Sequence, residues 1–288
     1  MIRSLVLAAL ALLVCAAAVP ARAQDTLSRE LIDACVGCRL PHDLHGRDLH
    51  GLRFVGTDLR DVDFSHANLS GAQFTGANLD GTRFDDADLR NARFVGVRLG
   101  RASFARANTD GVSFVGAKVT QAALDGTLGR VIIRNCTGCA LQGLDLHGAD
   151  LRGIKVVGAN LSDASFAGAR LNDAQLIGVR AHDADFSRTD LHGANLFGAS
   201  LRGAKLAGAA IGDAVLCSEA RDYYPSGTTE HRTICADLRG VDLRGLDFRA
   251  ARWCSNDDEA RPRTCRTVTR QELVDIAHAD LTGAQAPA

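Results

Sequence analysis

The stretch FSHANLSGAQFTGANLDGTRF, residues 64–84, decides the architecture of this chain. A large apolar residue stands at every fifth position, as Phe64, Leu69, Phe74, Leu79 and Phe84. A small residue, usually Ala, lies two places before each of them, a polar residue lies between the two, and Gly often follows two places later. A period of five matches neither the 3.6 residues of an α-helix nor the alternation of an ordinary strand, so it predicts a repeat structure.

The same period extends in both directions from this stretch. One apolar series runs from Leu44 to Leu124 with only Thr109 polar, and a second runs from Leu141 to Leu216. Between the two series the spacing changes, which predicts a register break at 125–135. If two extra residues form a small bulge there, Cys136 continues the series of Phe114.

This pattern resembles the pentapeptide-repeat family, whose consensus is A-(D/N)-L-x-x, over about residues 35 to 253. The resemblance implies an all-β fold, a right-handed quadrilateral β-helix (a pentapeptide-repeat solenoid) with four pentapeptides per coil. The large and the small apolar residue of each repeat would point inward and the others outward. One coil cannot bury its apolar side alone, so neighbouring coils must stack, about 4.8 Å apart.

With four repeats per coil, residues twenty apart form columns, such as Phe54, Phe74, Phe94 and Phe114 inside the solenoid. The outward residue after each member of this column is apolar or β-branched from Val36 at one end to Cys217 at the other. A long strip of this kind is typical of a protein contact surface. The alternative is that β-branched residues simply suit a sheet. The interface candidates are Val55, Thr75, Val95, Val115, Thr137, Val157, Ile177 and Phe197.

The composition excludes several classes of protein. The chain has 288 residues, with 33 Lys+Arg against 34 Asp+Glu, which argues against a strongly basic nucleic-acid binder and against a strongly acidic rod. Residues 1–23 have a positive start at Arg3, an apolar stretch and an Ala-x-Ala exit, which is typical of a secretory signal peptide. We therefore expect a periplasmic or secreted protein that is not inserted in the membrane after cleavage of the signal.

Eight cysteines follow the proposed signal, an even number that fits disulfides in an exported protein. Two C-x-x-C pairs favour local bridges inside a coil, with packed thiols as the alternative. The other four flank two insertions, and a bridge at the stem of each competes with a Cys217–Cys254 pairing between stacked coils. The disulfide candidates are Cys35, Cys38, Cys136, Cys139, Cys217, Cys235, Cys254 and Cys265.

Metal, cofactor and catalytic patterns are weak by comparison. The two C-x-x-C pairs lie about five coils apart in the column scheme, too far for one zinc ion. Cys35, Cys38, His42 and His45 have a zinc-like spacing, but similar outward His residues recur in the repeats. No nucleotide fingerprint or nucleophile motif is present, and Asp and Arg recur at outward repeat positions. We predict no catalytic, cofactor-binding or metal residues and no cofactor.

The chain is predicted to divide into a signal peptide (1–23), an N-terminal cap (24–34) and a β-helix (35–217). An inserted loop (218–234), a last coil (235–254) and a second loop with a C-terminal cap (255–288) follow. Trp253 is expected to complete the core of the last coil, after Leu238, Leu243 and Phe248. Thr269 and Glu272 fit a capping box, which predicts a short helix that shields the open end.

The sequence indicates a non-enzymatic, exported structural or interaction scaffold, monomeric or dimeric, that binds a protein partner or itself and no nucleic acid. One alternative, implied by the resemblance, is a DNA-mimicking protector of topoisomerases. The balanced charge and the signal argue against that role. A second alternative is an activity located in the loop between Cys217 and Cys235, because loops commonly carry function.

Overall fold

The computed structural model describes residues 36–37, 40–121, 134–223, 229–255 and 264–287. The proposed signal peptide, the N-terminal cap, Cys35 and Cys38 lie outside the described residues, as does most of the register break. The chain divides into two compact units, residues 1–139 and 140–288. In both units the five-residue repeat forms a right-handed parallel β-solenoid, as predicted.

The inside of unit 1 is built by the apolar positions of the repeat. Rings of Phe54 and Phe74 stack with centroids 4.8 Å apart, and Phe74 and Phe94 stack at 4.7 Å. The second column, Phe64 and Phe84, meets the first edge-to-face in the middle of the solenoid, and all of these rings are buried. The alternation of Phe and Leu in the sequence therefore becomes aromatic columns packed against one another.

One side of each coil is a true strand, and the other sides are single bridges between coils. In unit 1 the strands are β1 (Arg53–Val55), β2 (Gln73–Thr75), β3 (Arg93–Val95), β4 (Ser113–Val115) and β5 (Asn135–Thr137), all parallel and in chain order. Phe114 pairs with Cys136, so the column continues across the register break as the sequence suggested.

Unit 2 contains β6 (Lys155–Val157) and β7 (Gln175–Ile177), again parallel, and a separate four-stranded sheet. That sheet comprises β8 (Val215–Tyr223), β9 (Thr229–Cys235), β10 (Arg252–Cys254) and β11 (Cys265–Thr267), in the order β11-β10-β8-β9. β8 and β9 form an antiparallel hairpin, so much of the segment expected as a loop at 218–234 is strand.

The end of unit 2 is closed by the C-terminal segment. A π-helical turn, Glu272–Ile276, follows a reciprocal capping box in which Thr269 N donates to Glu272 Oε2 at 2.8 Å and Glu272 N donates to Thr269 Oγ1 at 3.2 Å. The sequence signal for the cap was therefore right, although the helix is only one turn long.

Beyond the turn, the residues Ala279-Asp280-Leu281-Thr282-Gly283 form one more repeat, which the sequence analysis missed. Gly245 N donates to Gly283 O at 2.9 Å, and Phe248 N donates to Gln285 O at 2.8 Å, as in a stacked coil. The Ala-Asp-Leu-x-Gly pattern of this repeat is visible in the sequence, but the second insertion separates it from the main series.

No helix among the described residues is long and apolar enough to cross a membrane.

Candidate interaction face

The predicted contact strip lies on the strand side of the solenoid, which we call the sheet face. In unit 1 the sheet face comprises β1 to β5, and in unit 2 it comprises β6, β7 and the equivalent residues 195–197. Each three-residue strand places its central residue in the core and the two flanking residues outside. The sequence period therefore fixes two outward columns on this face, one on each side of the buried column.

The first outward column follows the buried residue and contains the interface candidates. In unit 1 Thr75, Val115 and Thr137 are exposed, and Val55 and Val95 are partly exposed. In unit 2 Val157, Ile177 and Phe197 are all partly exposed. The structure thus places every interface candidate on the outside of its own unit, in register with its neighbours in the parallel ladder.

The sequence predicts that the strip extends to Cys217. In the structure it ends before this residue. Cys217 is fully buried and forms a disulfide with Cys235. The strand continues past this position into the hairpin, and Ile234 of β9 comes close to Gly198, at the corner after Phe197. The strip in unit 2 therefore ends at the hairpin.

The second outward column precedes the buried residue and is polar. It contains Arg53, Gln73, Arg93, Ser113 and Asn135 in unit 1, and Lys155, Gln175 and Asn195 in unit 2. Neither column contains Asp or Glu, although the chain has 34 acidic residues. The two outward columns of the sheet face therefore combine apolar, neutral polar and basic side chains without carboxylates, whereas the other sides of the coils carry many carboxylates.

A glycine follows every member of the apolar column, for example Gly96 after Val95 and Gly178 after Ile177. Gly96 has φ +63°, and a Cβ atom there would meet nothing within 4 Å. At the corresponding corners of the other sides, residues such as Asp61 and Asn91 adopt similar positive φ values. Glycine on the sheet face leaves the backbone beside the strip bare and open to contact.

The other sides of the coils, which we call the turn faces, are closed by backbone turns. Val62 N, for example, donates to Leu59 O at 3.2 Å, and Ala67 N donates to Phe64 O at 3.0 Å. In many repeats an Asp or Asn stands just before the buried position, and its side-chain oxygen accepts the N–H of the residue two places later. Ser65 N, for instance, donates to Asp63 Oδ1 at 2.8 Å.

This local pairing neutralises many charges on the turn faces. Arg90 donates through Nη2 to Asp88 at 2.6 Å, and Arg152 does the same to Asp150 at 2.6 Å. The guanidinium of Arg152, by hydrogen bonding to Asp150, lowers the pKa of that carboxyl group to about 2. His50, His147 and His192 occupy the arginine position in other repeats, with Nδ1 2.6 to 2.9 Å from an Asp oxygen. The recurring Asp, Arg and His residues thus contact one another within single repeats.

The cysteines of the described chain form three disulfides. Cys136 bonds to Cys139 inside the core of unit 1, where both side chains are buried. Cys217–Cys235 and Cys254–Cys265 lie at the stems of the two insertions, so the stem pairing holds rather than the Cys217–Cys254 alternative. The bridges fix the hairpins at the points where they leave the coil.

Trp253 does not complete the core, contrary to the sequence-based expectation. The register between β10 and β8 shifts after Arg252, so Trp253 lies opposite Cys217, and Cys254 is the residue that is buried. The Trp253 ring is only partly buried and lies 4.6 Å from the Arg266 guanidinium, which in turn pairs with Glu272 at 2.6 Å. The five-residue period does not predict this one-residue bulge, and for that reason the sequence places Trp253 in the core.

Metal-ligating geometry is not found among the described residues, in which no group of three or more His, Cys, Asp or Glu side chains could hold an ion. Two members of the zinc-like pattern, His42 and His45, belong to the first described coil, and Cys35 and Cys38 lie outside the described residues. The His45 ring contacts the His66 ring edge-to-face, with centroids 5.1 Å apart.

Family models agree with the repeat that the structure displays. A model described as pentapeptide repeat region matches residues 47–124, and one described as pentapeptide repeats (8 copies) matches residues 145–183 and 157–193. The chain belongs to the pentapeptide-repeat family. No curated protein matches its sequence.

Solved structures of other pentapeptide-repeat proteins are similar to this chain. One, from the Arabidopsis thaliana thylakoid lumen, is 24% identical, with coverage of 47% of this chain and 78% of that chain and a TM-score of 0.34. HetL, involved in heterocyst differentiation regulation in the cyanobacterium Nostoc sp. strain PCC 7120, is 27% identical, with coverage of 68% and 80% and a TM-score of 0.26. Full-length QnrB1, a plasmid-mediated fluoroquinolone resistance protein, is 19% identical, with coverage of 78% and 85% and a TM-score of 0.25.

Proposed function

We propose that this pentapeptide-repeat protein is a non-enzymatic, exported scaffold that binds a protein partner or a second copy of itself through the sheet face. The observation that carries this proposal is the column of apolar and β-branched residues beside bare glycines in each unit. Side chains such as Val95 and Ile177 lie on a parallel ladder and are partly exposed. A preformed apolar strip loses little conformational entropy on binding, which favours association.

The use of polar side chains in the repeats supports a scaffold rather than an enzyme. Pairs such as Asp58 with Arg60 and Asp88 with Arg90 hold a carboxylate and a guanidinium together on one solvated turn. The same arrangement recurs from coil to coil, as a structural device should. An active site would instead gather different groups around one cleft.

The disulfides and the N-terminal sequence support export. The bridges of the described chain, one in unit 1 and two in unit 2, need an oxidising compartment to form and persist. The signal-like composition of residues 1–23 would direct the chain to such a compartment.

The turn faces do not favour the DNA-mimic alternative. A mimic of the DNA backbone needs unpaired negative charge along a rod, but Asp88, Asp150 and Asp237 each bind the arginine two residues later. The pairing compensates the negative charge at these three positions.

Photo-crosslinking in the producing cells tests the proposal. A photoreactive residue at position 95 or 177 samples the sheet face, and one at Arg90, on a turn face, is the matched control. We expect a discrete crosslinked species from positions 95 and 177 and none from position 90. Equal crosslinking from both faces, or none from either, would contradict binding through the sheet face.

Light scattering then separates a partner from a second copy. The chain is compared with a variant carrying Val95→Lys and Val157→Lys, both on exposed or partly exposed strip positions. A dimer that becomes a folded monomer in the variant identifies self-association. Two folded monomers assign the crosslinked species to a different protein.

A further inference from the structure

Two basic residues of the sheet face lack a counter-charge among the described residues. Among the described residues, the side chains of Arg93 and Lys155 have no hydrogen-bond or ion-pair partner. Turn-face arginines such as Arg90 and Arg152 have a carboxylate 2.6 Å away, whereas Arg98, also on a turn face, has no ion-pair partner among the described residues. The two kinds of face differ in where the carboxylates are placed, because the chain as a whole has almost equal numbers of acidic and basic residues.

We propose that the sheet face binds a different protein, one that presents an apolar ridge with carboxylates along one side. This inference rests on the proposed function and specifies the chemistry of its partner. The apolar column would receive the ridge, and Arg93 or Lys155 would pair with the carboxylates in the adjoining column. Complementary charge of this kind sets orientation and raises the association rate.

A second copy of the chain is a poor match for this face. A two-fold axis that runs across the columns sets the apolar columns of two copies of unit 1 against each other and also sets their polar columns against each other. Arg93 would then approach the arginines of the other copy, with no acidic residue on either sheet face to separate them. A two-fold axis parallel to the columns either sets each basic column against an apolar one, which desolvates charge without compensation, or joins the apolar columns and leaves both basic columns outside the contact without an acidic partner.

Nucleic acid and lipid fit the face less well than protein. The basic positions alternate with Gln73, Ser113 and Asn135 along the column of unit 1, so the positive charge is sparse for a phosphate backbone. The apolar residues are short, and Val55 and Val95 are already half-buried against the ladder, so they cannot reach into a bilayer. A protein surface of modest charge and apolar centre uses both columns at once.

The experiment is a selection of short random peptides displayed on phage against the purified full chain. Selected peptides are then titrated against four variants: Val95→Asp, Arg93→Glu, Lys155→Glu and Arg98→Glu. Arg98 is the matched control, because it is an exposed residue that precedes the buried position of the next face in the same coil. We expect peptides rich in Val, Ile, Leu or Phe with several Asp or Glu residues.

Binding of such peptides should weaken about tenfold in Arg93→Glu or Lys155→Glu, fall below detection in Val95→Asp, and stay unchanged in Arg98→Glu. If Val95→Asp abolishes binding while both charge reversals leave it intact, the proposed function stands. The inference that the partner presents carboxylates to Arg93 or Lys155 is then overturned. If no variant matters, or no peptide is enriched over the Val95→Asp chain, the inference and the proposed function both fail.

Two further arms test the competing partners. Phosphatidylglycerol vesicles and a short DNA duplex are titrated at physiological salt with the chain and with Arg93→Glu. Binding to either that the charge reversal removes would overturn the protein partner in favour of lipid or nucleic acid. Concentration-dependent association of the chain alone, lost in Val95→Asp, would overturn it in favour of self-association.

Discussion

Arg90 and Arg93 are three residues apart in one coil, yet only Arg90, on a turn face, has a carboxylate partner. The same contrast holds in unit 2, where Arg152 pairs with Asp150 and Lys155 has no partner among the described residues. One repeat therefore produces two kinds of surface: turn faces on which many arginines pair with a carboxylate of the same repeat, and a sheet face whose two outward columns contain no carboxylate. What distinguishes them is which positions receive carboxylates, since the buried columns behind both faces are equivalent.

The largest expected effect tests that equivalence. Phe94→Ala, behind the sheet face, and Phe84→Ala, behind a turn face, each remove a fully buried ring from the aromatic columns. Each should lower the free energy of unfolding by about 3–5 kcal/mol, measured by urea denaturation. A difference between them of more than about 1.5 kcal/mol would show that the two faces have unequal cores.

The next effect concerns the hairpin at which the strip of unit 2 ends. Replacing Cys217 and Cys235 by Ser opens a bridge with a sequence separation of 18. Loss of about 3 kcal/mol of stability is expected, because the unfolded chain is no longer constrained. The matched control is the double replacement of Cys136 and Cys139, separated by only 3 residues, which closes a much shorter loop. Equal losses in non-reducing urea titrations would contradict the loop-length explanation.

A smaller effect, the response to acid, belongs to the turn faces. Arginine hydrogen bonds lower the pKa of Asp150, Asp242 and Asp247 to about 2 in the folded chain. A carboxyl whose pKa falls on folding stabilises the protein above its unfolded pKa, near 3.8, and this contribution is lost as the pH falls towards 2. The urea midpoint should therefore decrease between pH 5 and pH 2, and Asp150→Asn should make the decrease shallower. An unchanged slope in that variant would show that the pair does not contribute.

The smallest effect on stability is expected on the sheet face. Arg93→Glu removes no ion pair and buries nothing, so the free energy of unfolding should change by no more than about 0.5 kcal/mol. Together with a loss of peptide binding, this result separates recognition from folding. A change of more than about 1 kcal/mol would reveal an intramolecular role for Arg93.

Much of the fold could be predicted because the repeat leaves little choice. A large residue every five positions, as at Phe54 and Phe74, requires one inward direction per side, and residues twenty apart then stack. The same logic placed Val95 and Ile177 outside. The repeat also indicated the stem disulfides, because Cys217 and Cys235 would be adjacent once the insertion is removed.

The sequence failed where local geometry departs from the period. A bulge after Arg252 turned Trp253 outward, and the hairpin buried Cys217, which the period placed on the outside. The absence of carboxylates from the sheet face is visible in the sequence only after the strands are known, because the columns gather residues twenty apart. Electrostatic contrast between faces is thus a property of the stacked coils and not of any single motif.

The displaced repeat at Ala279–Gly283 has a consequence for assembly. A solenoid that ended at Cys254 would present a row of unsatisfied backbone groups, among them Gly245 N and Phe248 N, to any other chain. Such an edge templates end-to-end growth into filaments. The carbonyl groups of the C-terminal segment accept hydrogen bonds from that row, so these backbone donors of unit 2 are not available to another chain.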